Sequence, residues 1–139
     1  MALWRFMDYC TESGQNLIQE WYEAQGDAVK AEFDATLLTL GATEDWTATG
    51  VDEFKVLTGR HAGLCELRFD IGVREPGSRK SSKRRFRPVG IWRLEYRDFI
   101  ILLGCEKSGR IYIPADAFDL ALEYKALFEQ GRGTICEHV

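Results

Sequence analysis

Polar and apolar residues alternate most cleanly in Leu64-Cys65-Glu66-Leu67-Arg68-Phe69-Asp70-Ile71. A period of two predicts a strand with Cys65, Leu67, Phe69 and Ile71 in the core and Glu66, Arg68 and Asp70 on a wet face. Leu3 to Tyr9 alternates more loosely and reads as a first short strand. The period then changes to that of a helix. Leu17, Ile18, Trp21 and Tyr22 form one stripe between about Gln15 and Ala24, and Val29, Phe33, Leu37, Leu38 and Leu40 another between Asp27 and Leu40. Gly26 separates the two helices, and Gly41 stands where a C-terminal glycine cap belongs. The pair reads as an α-hairpin covering one face of a sheet. Phe54 to Leu57 is too brief to separate an edge strand from a turn of helix.

Beyond Ile71 a polar connection from Arg74 to Arg85 carries a Pro-Gly turn signal. A second strand is expected from Phe86 to Tyr96, with Arg85, Arg87 and Arg93 on one parity and Phe86, Trp92, Leu94 and Tyr96 on the other. Pro88 and Gly90 predict a bulge within it, which leaves Trp92 either core or a stacking surface. Phe99 to Glu106 is a continuous apolar run, as in a central strand covered on both faces. A last helix begins at Pro114, favoured by Asp116 and Asp119 at its positive end, and stops near Gly131. The fold class expected is α+β: an N-terminal strand and α-hairpin packed on a small antiparallel sheet, with a C-terminal helix. The 139 residues suit one domain, with a core over about 3–130, a mobile basic connection over 72–85 and a frayed tail over 132–139.

Composition narrows the classes. No run approaches the roughly 18 apolar residues of a membrane span, and Met1-Ala2-Leu3-Trp4-Arg5 lacks a signal-peptide pattern, so a cytoplasmic protein without a membrane partner is expected. Cys10, Cys65, Cys105 and Cys136 are widely spaced, which predicts reduced thiols. With His61 and His138 they offer no zinc spacing, and neither metal nor cofactor is expected.

Charge changes the picture more. From Lys55 to Tyr112 there are 14 Lys and Arg against 6 Asp and Glu, a local +8, while the remaining residues hold 4 against 16, a −12. This segregation points to a basic face for an anionic ligand; the alternative is a solvated basic hairpin balanced by acidic helices.

The order and spacing of four short motifs resemble the RelE/HigB toxins of type II toxin-antitoxin systems, nearest to their phage-related HigB-like branch. Leu57 … Gly63-Leu64-Cys65-Glu66-Leu67-Arg68 resembles the family's leucine, glycine and "ElR" strand. Arg85-Phe86-Arg87-Pro88-Val89 resembles its "yR" strand, and Phe99 to Ser108 its aliphatic run ending in lysine. Pro114 to Leu127 resembles its closing helix. The connection from Ile71 to Arg84 is longer than the family's, and the lysine usually doubled stands here as Lys107-Ser108. The resemblance implies cleavage of messenger RNA on the ribosome and a neutralising antitoxin partner. It also admits a non-enzymatic module of the same shape that binds protein or nucleic acid, whether a gyrase inhibitor or a phage-encoded binder.

RNA cleaves itself when its 2′-oxygen attacks the adjacent phosphate. An enzyme supplies a proton acceptor, cations for the charge on phosphorus and a donor for the leaving 5′-oxygen. Arg68 and Arg87, on neighbouring strands with polar-face parity, and Lys107 are the expected catalytic cations. Arg79, Lys80, Lys83, Arg84 and Arg85 are expected to grip phosphates, unless they form only a solvated hairpin tip. Arg110 and Tyr112 add a cation and a stacking ring. His61 is either a general base or a surface histidine without a role. Glu66 either accepts a proton or only pairs with Arg68, and an exposed pair of that kind contributes at most about 1 kcal/mol.

Overall fold

The computed structural model describes residues 2–74, 77 and 81–138. The chain opens with strand β1 (Arg5–Cys10) and the helices α1 (Leu17–Glu23) and α2 (Asp27–Gly41). Asn16 caps α1, its side-chain oxygen accepting from the Gln19 N–H at 2.9 Å. Then come β2 (Phe54–Val56), β3 (Cys65–Leu67), β4 (Phe69–Arg74), β5 (Ser81–Phe86), β6 (Val89–Arg93), β7 (Asp98–Leu103), β8 (Glu106–Ser108) and β9 (Ile111–Ile113). Helix α3 (Ala117–Glu129) and strand β10 (Thr134–Glu137) complete the chain. The class is α+β, with three α-helices and two sheets among the described residues. Among the described residues no helix is long and apolar enough to cross a membrane.

The larger sheet has the order β10-β1-β7-β6-β3-β2 and is mixed, because β1 runs parallel to β7. This departs from the expected small antiparallel sheet: the chain between β1 and β7, which includes α1, α2 and β2 to β6, is long enough to bring the two strands alongside in the same direction. The alternation along β7 sorts two cores. Phe99 and Ile101 face α1 and α2 in an aromatic cluster with Trp4, Phe33, Trp46 and Phe54. Ile100 and Leu102 face the other way, against Tyr9, Val89 and the α3 residue Ala121. Trp92 packs into the aromatic cluster, stacked on Trp46 with centroids 5.6 Å apart, so it belongs to the core.

The smaller sheet, β4-β5-β8-β9, arises from a shared corner. Three stretches expected to be single strands each divide in two, at Arg68, at Arg87-Pro88 and at Gly104-Cys105. The halves on one side join the larger sheet and the halves on the other join the smaller one. The corner keeps its backbone groups paired: Leu67 N–H donates to Pro88 O at 2.7 Å, Arg68 N–H to Glu53 O at 2.8 Å, and Arg87 N–H to Cys105 O at 2.8 Å. Proline, with no N–H to give, is tolerated at such a break. Gly104 leaves room for Trp21, whose ring occupies the space a Cβ would take. The expected bulge lies between Val89 and Gly90.

The basic connection is in large part hairpin, since β4 reaches Arg74 and β5 begins at Ser81, so Lys83, Arg84 and Arg85 stand on a strand. Arg79 and Lys80 lie outside the described residues. The tail, expected to fray, forms β10 on the free edge of β1. Beyond that strand the His138 Nδ1 sits 2.8 Å from an Asp8 carboxylate oxygen, with both side chains buried.

Candidate nucleic-acid interface

Cross-strand register builds the site. In the smaller sheet Asp70 is opposite Arg85, Arg85 opposite Lys107, and Lys107 opposite Tyr112. Directly opposed residues share a sheet face, so the four form one row. Arg85 and Lys107 are like charges set side by side, an arrangement that costs stability in the free protein and that an anion between them would relieve. The Lys107 ammonium stands 5.4 Å from the centre of the Tyr112 ring. Lys83, Arg84, Arg85 and Lys107 line an open depression of about 500 Å³. Arg84 is committed to the fold: its guanidinium takes Glu106 in two hydrogen bonds, 2.7 and 3.2 Å, and lies over the Phe86 ring. Arg110 is exposed at the β8–β9 turn.

The row continues through aromatic contacts. Tyr112 packs on Phe118 of α3 with centroids 4.3 Å apart, and Phe118 meets the ring of His61 at 5.1 Å. His61 and Tyr112 line one shallow cleft of about 270 Å³ with Phe118 and Asp119. The His61 Nε2 is 3.2 Å from Asp119 Oδ1, and Arg60 Nη2 reaches both Asp119 oxygens at 3.0 and 3.1 Å. A carboxylate behind an imidazole orients the ring. In the sequence Asp119 marked only a helix start and Phe118 only an apolar helix face; their meeting with His61 depends on how α3 docks beside the turn at Gly59–His61.

Behind Tyr112 lies Glu66. Of the expected wet face of this strand, Glu66 alone fails, for it is 2% exposed, while Arg68 and Asp70 keep solvent contact. The corner folds the β8–β9 hairpin over it, and the Tyr112 hydroxyl donates toward Glu66 Oε2 at 3.4 Å. Burial pushes the Glu66 carboxyl above its ordinary range, opposed by Arg68, Arg87, Lys55 and Lys107 around it. Burial also raises the Tyr112 phenol to about 12, helped by the negative charge of Glu66. Arg68 Nε is 3.6 Å from Glu66 Oε1 and its side chain is about one-third exposed.

Arg87 departs furthest from expectation. Its polar-face parity does not survive the corner, where the residue is 4% exposed. A single nitrogen, Nη1, donates to Phe86 O at 2.7 Å, Asp70 Oδ1 at 3.0 Å and Phe69 O at 3.2 Å. It therefore ties β4 to the end of β5. Arg68 and Arg87 line a cleft of about 410 Å³ beside α2, whose other charged walls are Glu32, Asp52, Glu53 and Asp70. Four carboxylates around two arginines leave this cleft with a formal excess of negative charge, unfavourable to phosphate. The structure thus separates the expected set: Arg85, Lys107 and Tyr112 come together on an accessible row, while Arg68 and Arg87 sit at the corner behind it. Among the described residues no three His, Cys, Asp or Glu side chains group as metal ligands. No family model, no curated protein and no solved structure matches the chain.

Proposed function

We propose that the protein is the toxin of a toxin-antitoxin pair, a cytoplasmic endoribonuclease of the RelE/HigB kind that cuts messenger RNA by internal transesterification on the ribosome. The observation that supports this reading is the continuous row Arg85–Lys107–Tyr112–Phe118–His61, which combines two cations that form no ion pair among the described residues, stackable rings and an imidazole held by a carboxylate. In the proposed reaction His61 takes the 2′-hydroxyl proton and the 2′-oxygen attacks phosphorus. Arg85 and Lys107 hold the charge that develops on the phosphoryl oxygens. The Lys107 ammonium protonates the departing 5′-oxygen, leaving a cyclic 2′,3′-phosphate and a 5′-hydroxyl. Tyr112 stacks on a base next to the cut, while Glu66, Arg68 and Arg87 position the row from behind. The reaction requires no metal ion, and the cognate antitoxin holds the toxin inactive before release.

Expression of the chain alone should arrest bacterial growth and create new transcript ends carrying 5′-hydroxyls. Lys107→Ala and His61→Ala should each relieve both effects at equal protein levels. Normal growth with confirmed wild-type expression would sink the proposal. A second reading, a non-cleaving binder of the same fold, draws on the acidic surroundings of Arg68 and Arg87. It predicts growth arrest with intact transcripts.

A further inference from the structure

Cys10 and Cys136 are 126 residues apart in the chain, yet their sulfurs are 3.1 Å apart. The antiparallel pairing of β1 with β10 places Asp8 opposite Cys136 and Cys10 opposite Thr134, so the two cysteines are diagonal neighbours on adjacent strands. We propose that this pair is a thiol-modification site that takes an intramolecular disulfide, fastening the last strand to the first.

The two thiols differ in a way that orders the chemistry. Cys136 is exposed, whereas Cys10 is buried. Burial and the neighbouring Cys136 push the Cys10 thiol up to about 11. A low-molecular-weight disulfide such as oxidised glutathione therefore reacts first at Cys136. The Cys136 thiolate attacks one glutathione sulfur, a mixed disulfide forms, and one glutathione thiolate leaves. Cys10 then gives its proton to solvent and attacks the Cys136 sulfur, expelling the second glutathione. Two protein thiols are oxidised, and the disulfide of the reagent is reduced to two thiols. Cys65 and Cys105 are buried, their thiols raised to about 11 and about 12, and offer the reagent no entry.

The modification acts on a strand that otherwise depends on local contacts. Tyr9 Oη donates to Arg132 O at 2.8 Å, Arg132 pairs with Glu12, and the His138 N–H donates to Phe6 O at 2.9 Å. Terminal edge strands open first in a folded protein, and a covalent link across a loop this long removes that route.

Incubating the full chain with oxidised glutathione under native conditions, then digesting it without reduction, tests the proposal. The expected result is one peptide pair joined through Cys10 and Cys136, with Cys65 and Cys105 still reduced. The melting temperature should rise by about 10 °C and fall back on reduction. In Cys10→Ser the reaction should stop at a glutathione adduct on Cys136; in Cys136→Ser no adduct should form. A wild-type chain that stops at the glutathione adduct, links only to a second chain, or retains all four thiols overturns it.

Discussion

The hydroxyl of Tyr112, on the smaller sheet, lies 3.4 Å from Oε2 of Glu66, on the larger one. This contact crosses the corner at which three strands change sheets, and it joins the exposed row to the buried carboxylate behind it. Tyr112→Phe keeps the ring and removes the donor. Stacking on RNA should persist and stability should fall by about 1 kcal/mol, because one buried carboxylate oxygen loses a partner. Chemical denaturation of the two proteins measures this directly.

Glu66 also makes stability depend on pH. Its carboxyl is raised in the folded protein, chiefly by burial, so the folded state binds the proton more tightly than the unfolded chain. The stabilising contribution is complete below the ordinary carboxylate range and is lost as pH rises through the folded value. Glu66→Gln removes that contribution. Over about pH 4 to 7, the melting-temperature difference of wild type minus variant should decrease as pH rises. A difference that is flat, or that increases with pH, contradicts the assignment.

Arg87 is a corner tie. Arg87→Ala would leave the carbonyls of Phe69 and Phe86 short of a donor in a buried place. The expected loss is about 2–4 kcal/mol, seen as a shifted denaturation midpoint. Corrected for the unfolded fraction, activity should fall less in this variant than in Lys107→Ala.

Arg85 and Lys107 face one another across β5 and β8. Lys107→Gln removes the repulsion, so the free protein should melt about 1–2 °C higher. The same change should weaken single-stranded RNA binding and lower the slope of log affinity against log salt by about 0.7. A variant that binds as tightly as wild type at every salt concentration would show that the row does not carry phosphate.

Two glycines in the sheets differ in how far their surroundings can give. A Cβ at Gly90 would meet the backbone oxygen of Ile100 and the ring of Phe99, while the nearest atoms to one at Gly104 belong to the Trp21 side chain. Gly90→Ala should therefore cost more than Gly104→Ala, about 3 kcal/mol against 1–2 kcal/mol. Gly104→Ala should also shift tryptophan fluorescence.

Period and charge in the sequence by themselves determined much of this molecule. The 3.6-residue stripes placed α1 and α2, the apolar run at Phe99 placed the central strand, and Pro88 with Gly90 marked the bulge. Local pattern suffices for these because each depends on residues within one turn or one pleat. Charge counting likewise found the basic region holding Arg85 and Lys107. Only the tertiary structure decided which polar residues of these strands stay wet. Parity correctly put Cys65, Leu67, Phe69 and Ile71 in the core, but it assumed unbroken strands, and the common corner at Arg68, Pro88 and Gly104 breaks them. It buries Glu66 and Arg87 and leaves Arg85 and Lys107 on the accessible row. The meeting of His61 with Phe118 and Asp119, and of Cys10 with Cys136, joins residues 57 to 126 positions apart. No periodicity spans such distances; docking of α3 and the pairing of the first and last strands create these contacts.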